Sequence, residues 1–482
     1  MGSLIPMVVA LVAIPIMLEK LGLERFGLLT LAWLIVGYFS LFDFGLGRAL
    51  TKIIAEYEGA GRREDVPQVF WTSMILMLSL GILGGILFWI LAPVLARTLS
   101  VTVGYRSEAV EVFRLLATSL PIVIILAGLR GVLEAYHRFR LINLIKIPVG
   151  AATYILPVVI LWFNDSLMAV VVGLICVRVL LLLIYGGVIW KTVPALQVVA
   201  LGDTEVTRRL LAFGGWMTIS NLVGPLMTYM DGFVIGVVLT VSAVAFYTVP
   251  YDVATKLWIF PTAIIVSLFP LLSQKLVGEL DVAKRIFFGS VRFMFFTLFP
   301  LVLVLVSFSK ELLVFWLGSE FGNESTLVLQ ILLIGVFVNS MAMFPYALLQ
   351  SAGYPRYTAF LHLLELPLYG VLLIFLLNEL GIVGAAVAWL VRVIFDNALL
   401  GWIVCKCLPK FASVMKTALV GQLFAMLLFL MALLMPSLLS RVILSASVII
   451  LTSVWGIMLL VNLCRAHGIH NLSSIRKLLN ES

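Results

Sequence analysis

The sequence predicts an all-α polytopic membrane protein of about 14 transmembrane helices, and three observations predict it. The chain of 482 residues is 63% hydrophobic and 12% charged, where soluble domains carry roughly 25% charge. Its mean hydropathy is +1.18. Apolar windows of about 20 residues, the length that crosses a hydrocarbon core, recur from end to end. The windows fall at 3–18, 28–47, 69–95, 112–133, 142–163, 167–190, 211–239, 243–272, 288–308, 326–350, 359–378, 381–404, 415–435 and 442–464. The longest connections, around 48–68, 191–210 and 309–325, are too small for a folded soluble domain. Any chemistry is therefore expected inside the membrane.

The first elements set the pattern. Leu21 to Lys52 opens with a polar turn at Glu24 and Arg25 and continues through an apolar stretch, Leu28 to Phe42, whose polar side chains are Thr30, Tyr38 and Ser40. It ends in Asp43, Arg48 and Lys52. An apolar span closed by an acid and a base points to transport, because ionisable groups in a bilayer are costly and kept for function. The first apolar run begins at Leu4 with no basic residue before it, so no signal peptide is expected.

The net charge of +8 does not indicate a nucleic-acid surface, since the basic residues lie in short connections between spans. With a cytoplasmic N-terminus, 22 of the 32 Lys and Arg residues fall in or beside seven inner connections, from Arg48 to Lys477. Seven fall outside, and Arg178, Lys256 and Arg392 lie within spans. That bias orients both termini to the cytoplasm.

An internal repeat divides the chain. Tyr136-His137-Arg138-Phe139 recurs as Tyr354-Pro355-Arg356-Tyr357, 218 residues on, and Val177-Arg178-Val179 as Val391-Arg392-Val393, 214 on. Leu4-Ile5-Pro6-Met7 aligns with Val223-Gly224-Pro225-Leu226 at 219, and Phe26-Gly27-Leu28 with Phe246-Tyr247-Thr248 at 220. Six spans separate the copies, so both halves run the same way through the membrane. The expected organisation is an N-lobe at 1–190, a cytoplasmic linker at 191–210, a C-lobe at 211–404, and two extra helices with a tail at 405–482. Relative to Pro225, Pro6 sits early, and the first helix is expected to be short by about ten residues against its copy.

The charges inside spans are the candidate functional residues. Arg178 and Arg392 each sit about eleven residues into a span, near the midplane. Asp396 is one turn from Arg392 and can neutralise it. Arg178 has only Leu174, Ile175, Leu181 and Leu182 at those positions, so it is expected to face a cavity or pair with another helix. Asp252 and Lys256 form a second i,i+4 pair. Asp231 has no charged neighbour at that spacing and is the candidate for ion coupling. Lys146 and Glu365 occupy matching slots before Pro148 and Pro367 with opposite sign, which allows a bridge between the halves. Prolines within spans, Pro121, Pro148, Pro261 and Pro367 among them, mark bends that packing alone also produces.

Cys176, Cys405, Cys407 and Cys464 suggest neither a disulfide framework nor a zinc site, since Cys405-x-Cys407 has no partner His or Cys nearby. His467-x-x-His470 is more simply a solvated tail than a metal site. No cofactor or metal is expected.

With both halves in view, Leu21-Gly22, Phe26-Gly27-Leu28 and Asp43-Phe44-Gly45-Leu46-Gly47-Arg48 carry a family likeness, continued by Tyr247, Pro250-Tyr251-Asp252, Phe269-Pro270, Gln350-Ser351-Ala352-Gly353 and Gly381-Ile382 with Gly384-Ala385-Ala386. The chain resembles the multidrug/oligosaccharidyl-lipid/polysaccharide exporter superfamily, and most closely its bacterial polysaccharide branch, the Wzx-type O-antigen flippases. The resemblance implies two six-helix lobes around a central cavity, two additional helices, and movement of an undecaprenyl-pyrophosphate-linked oligosaccharide across the bacterial inner membrane. It also implies a polysaccharide polymerase and chain-length proteins as partners beside membrane lipid. An anionic diphosphate head group suits a basic, wet cavity, for which Arg48, Arg178, Lys256 and Arg392 are the candidates.

Three alternatives stay open. A proton- or sodium-coupled multidrug exporter would want buried carboxylates, and Asp43, Asp231, Asp252, Glu365 and Asp396 exist, several with basic neighbours. A lipid II flippase has similar head-group chemistry. An intramembrane polysaccharide polymerase or ligase would want a large outer loop with His or Arg, and the outer connections here are small and lack His.

Overall fold

The structure, a computed structural model, describes residues 4–466 apart from 40–42, 44, 201–203 and 277, and leaves out the side chains of 209, 213–226, 228, 229 and 455–466. His467, His470, Arg476 and Lys477 lie outside the described residues, as do the side chains of Pro225 and Cys464. Among the described residues all regular structure is helical: α1 (Leu4–Phe39), α2 (Leu46–Gly59), α3 (Val66–Thr98), α4 (Arg106–Ala135), α5 (Phe139–Leu161), α6 (Leu167–Thr192), α7 (Thr204–Val238), α8 (Val241–Thr255), α9 (Ile259–Lys275), α10 (Leu280–Ser307), α11 (Ser309–Leu317), α12 (Ser319–Ser351), α13 (Pro355–Leu380), α14 (Ile382–Cys407), α15 (Ala412–Leu434) and α16 (Leu438–Ala466). In hydrocarbon every backbone polar group must be satisfied within the segment, and the helix does this.

Eleven segments among the described residues are long and apolar enough to cross a membrane, against about 14 expected. Part of the difference is continuity. The first two windows run on as α1, counted as one span, but Gly22 (φ 71°, ψ 167°) leaves helical geometry and makes a kink between two helical segments, in a conformation that a residue with a Cβ avoids. The eighth window is split between α8 and α9 by a tight 3-10 turn, Lys256–Trp258. Pro261 explains this turn: without an N–H it cannot bond the Leu257 carbonyl four residues back. The Thr262 hydroxyl donates instead to the Trp258 carbonyl at 2.6 Å.

Helix packing sorts the chain into two compact units. One comprises Met1–Val249 with His362–Ala388, the other Pro250–Leu361 with Trp389–Ser482. In the first unit α3 pairs with α4, α4 with α6 and α1 with α5. One end is tied by the polar turn seen in the sequence. Glu24 accepts from the Ser242 hydroxyl at 2.9 Å and from the Thr102 amide at 3.2 Å, and Arg25 pairs with Glu108 at 3.0 Å. Gly27 is required here, since a Cβ on it would meet the Val241 carbonyl carbon at 2.9 Å. At the opposite end Tyr136 donates to Glu58 at 2.8 Å, and Arg63 pairs with the other oxygen of that carboxylate at 3.0 Å. Burial and that hydrogen bond push the Tyr136 phenol well above its ordinary range.

In the second unit α12 is the central helix, with 78% of its spanning window buried, and α9, α10 and α15 pack on it. Phe299, Phe337 and Phe429 fill its middle, with ring centroids 5.3 Å apart for Phe337 and Phe429 and 5.6 Å for Phe299 and Phe429. Between lipid-soluble helices such close contact stabilises more than water exclusion does. The repeat is visible in element lengths, since α6 and α14 each span 26 residues with Arg178 and Arg392 near their middles.

Candidate functional site

Arg178 stands on α6, a helix capped by Ser166, whose hydroxyl accepts from the Ala169 amide at 3.4 Å. Val193-Pro194 stops the helix, because proline disfavours helical geometry in the residue before it. Between these ends runs an apolar stretch in which Arg178 is the one ionisable side chain before Lys191 apart from Cys176 and Tyr185. The Arg178 side chain is half-buried, and its Nη1 donates to the Ser119 hydroxyl on α4 at 3.3 Å. Ser119 is fully buried, and its hydroxyl donates to the Leu116 carbonyl at 2.7 Å. No carboxylate among the described residues pairs with Arg178. A guanidinium presents five donors, and one serine oxygen leaves most of that capacity for a ligand or water.

The second centre in the same unit is Asp231, 1% exposed on α7. The Tyr247 hydroxyl on α8 donates to its Oδ2 at 2.6 Å, and the Tyr369 hydroxyl on α13 donates to its Oδ1. Both tyrosines are buried. The carboxylate was expected to stand without a partner because no charge lies one turn away; instead two neutral phenols from distant parts of the chain hold it. Each phenol accounts for one carboxylate oxygen, so the charge is solvated by fixed dipoles in place of water. Glu365, also 1% exposed, lies one turn before Tyr369 on α13. Lys146 is exposed on α5, and no ion pair joins it to Glu365 among the described residues.

The acid and base that close the second apolar span have separate places. Asp43 accepts from the Gly45 amide at 2.9 Å and from the Gly47 amide at 3.4 Å, while its carbonyl accepts from Leu46 at 2.9 Å. These are the free N–H groups at the start of α2, so Asp43 acts as the cap of that helix. Arg48 is exposed one turn further on.

In the second unit Asp252 and Lys256 are both exposed. The 3-10 turn that starts at Lys256 changes the helical register between them, and Lys256 acts on Asp252 as a nearby charge. Arg392 is half-buried on α14, with Asp396 buried one turn later.

Sequence reasoning located Arg178 and Asp231 and missed the groups that hold them. Ser119 carries no signal in a helix with several hydroxyls. Tyr369 had one: it lies one turn from Glu365 on a span otherwise nearly free of polar groups.

The sequence pattern of the polysaccharide biosynthesis protein family matches residues 1–276. Over 402 residues the chain is 32% identical to a Shigella flexneri protein assigned to O-antigen transport, covering 83% of this chain and 95% of that one. It is 26% identical over 185 residues, 38% of each chain, to a Haloferax volcanii protein assigned as a low-salt glycan biosynthesis flippase. The inward-facing structure of a multidrug resistance MATE family transporter of the MOP superfamily superposes with a TM-score of 0.72 at 15% identity, covering 86% of this chain and 98% of that one, which shows a shared fold. A match over more than half the chain, joined to a relative aligned along nearly its whole length, means that this multi-span membrane protein belongs to the polysaccharide biosynthesis protein family.

Proposed function

We propose that the protein is a flippase, not an enzyme, that moves an undecaprenyl-pyrophosphate-linked oligosaccharide from the inner to the outer leaflet of the bacterial inner membrane for surface polysaccharide synthesis. Family membership supports a role in polysaccharide assembly. The observation that carries the reading further is Arg178, a half-buried cation in mid-span with a serine for a partner. Holding such a charge in a bilayer costs roughly 2.5–3.5 kcal/mol on insertion scales. That cost is offset when an anionic head group arrives, because arginine binds phosphate oxygens in pairs.

In this reading Arg178 and Arg48 are phosphate contacts of the first unit, and Lys256 and Arg392 are the candidates of the second. The lobes at 1–190 and 211–404, joined by 191–210, rock to give alternating access, while 405–482 adds two helices. Asp231 is the site proposed for coupling to a proton or sodium ion, through the two tyrosines that would have to release it. Both termini are cytoplasmic, as the basic residues suggest.

The test is direct. Proteoliposomes holding the purified protein and a fluorescent polyprenyl-pyrophosphate oligosaccharide are probed with a glycosidase confined to one side. Protein-dependent transfer of the protected half supports the reading, and identical protection with and without protein refutes it.

A further inference from the structure

We propose that the surface groove between α10 and α15 in the second unit is a binding site for one anionic phospholipid. The groove has a polar end and an apolar end. At the polar end a cavity of about 350 Å³ is lined by Lys284, Arg285, Ser413, Thr417 and the single acid Asp281. It shares Phe288 and Thr417 with a second cavity of about 280 Å³, so the two adjoin. That second cavity is lined by Phe295, Phe296, Met341, Ala418 and Gly421, with Arg292 as its charged member.

The cations at the polar end are the informative feature. Lys284 is half-buried, Arg285 is exposed, and neither makes a hydrogen bond or ion pair with another described residue. By contrast Lys275, nearby in the chain, is paired with Glu279 at 2.6 Å. At the polar end two cations meet one carboxylate. A zwitterionic lipid would bring its own ammonium group against them, whereas a phosphodiester with a neutral head carries the complementary charge.

The apolar end has the shape for an acyl chain. From Ser413 to Gly421 the helix rises about 12 Å, most of one leaflet's hydrocarbon depth of roughly 15 Å. Gly421 keeps the floor open: the nearest atoms to a Cβ there would be those of the Phe295 ring, at 3.4 Å and beyond. Phosphate beside Lys284 and Arg285 thus places a chain along Phe295 and Gly421.

The full-length protein in detergent micelles doped with phosphatidylglycerol or phosphatidylcholine of identical acyl chains tests this, with thermal unfolding and native mass spectrometry as readouts. Phosphatidylglycerol should raise the unfolding midpoint more than phosphatidylcholine, and one molecule should stay bound. The Lys284→Gln/Arg285→Gln variant should bind phosphatidylglycerol about 30-fold more weakly, from about 1 kcal/mol per basic residue. Gly421→Leu fills the groove without touching the charges and should also lose the bound lipid. Equal midpoint shifts with the two lipids, or a phosphatidylglycerol effect unchanged in both variants, overturns the proposal. So does stabilisation by undecaprenyl phosphate with none from phosphatidylglycerol, which assigns the groove to a different lipid.

Discussion

Arg441 and Arg178 show two uses of the same side chain. Arg441, at the start of α16 in the second unit, donates Nη2 to Glu311 at 2.7 Å, and Nη1 to the other oxygen of that carboxylate at 3.1 Å and to the Ser307 carbonyl at 2.6 Å. Its guanidinium also lies 6.0 Å from the centre of the Phe308 ring. Two oxygens of one carboxylate face the guanidinium fork, the geometry expected of a structural ion pair. Arg178, in the apolar middle of the first unit, has one serine hydroxyl at 3.3 Å. The better-supplied arginine is at a connection between helices, where water also helps, and the poorly supplied one is where solvation is scarce. That contrast is what the proposed role of Arg178 as a ligand contact calls for.

The largest expected effect breaks the comparison at Arg178. Arg178→Ala should cut flipping about 30-fold or more, the loss of a desolvated charge contact worth roughly 2–5 kcal/mol. Its thermal stability should stay near wild type, because only the Ser119 contact is lost, and Arg178→Lys should restore part of the activity. Unchanged flipping in the glycosidase assay would remove Arg178 from the substrate path.

Asp231 should behave in the opposite sense. Asp231→Ala removes the carboxylate to which two buried phenols donate and should cost about 2–4 kcal/mol in unfolding free energy. Tyr369→Phe, which removes one donor and little volume, should cost about 1–2 kcal/mol. Loss of stability in Asp231→Ala with none in Tyr369→Phe would show that the Tyr247 contact carries the site.

Gly27→Val probes the tie around Glu24 in the first unit, where a side chain would strike the Val241 backbone. About 1–3 kcal/mol of overpacking is expected. A wild-type unfolding midpoint would contradict the close approach.

Arg441→Gln should have the smallest effect, at most about 1 kcal/mol, because the pair is partly exposed and screened. It also carries a pH signature. Burial pushes the Glu311 carboxyl up, but the hydrogen bond from Arg441 and the charges of Arg441 and Lys310 bring it below its ordinary value of 4.5. A depressed carboxylate contributes stability above its unfolded value and loses it as pH falls through the folded one. The stability gap between wild type and Arg441→Gln should therefore be present at neutral pH and close in acid. A gap that widens in acid would reverse the assignment.

Much of the fold was legible because membrane helices are local objects. Among the described residues most of each expected window is helical, since twenty apolar residues must satisfy their own backbone, though 28–47 runs past the end of α1 at Phe39 into α2. Windows one and two are separate spans in the sequence, and the backbone agrees, since Gly22 leaves helical geometry (φ 71°, ψ 167°) and divides α1 into two helical segments. Asp43 illustrates the limit from the other side. An acid at the end of an apolar span has the same one-dimensional signature whether it binds a substrate or caps the next helix, and here it caps α2 through Gly45 and Gly47.

Composition and spacing alone determined that this is a multi-span helical membrane protein, and that Arg178 and Asp231 are ionisable groups lacking charged partners one turn away. Those properties follow from hydropathy and helical periodicity, which act over a few residues. Only the tertiary structure decided how each charge is met: Arg178 by Ser119, 59 residues away, and Asp231 by Tyr247 and Tyr369, 16 and 138 residues away. Such partners are chosen by which helices pack together. Packing between apolar helices depends on shape at many contacts, a sum that no short window of sequence contains.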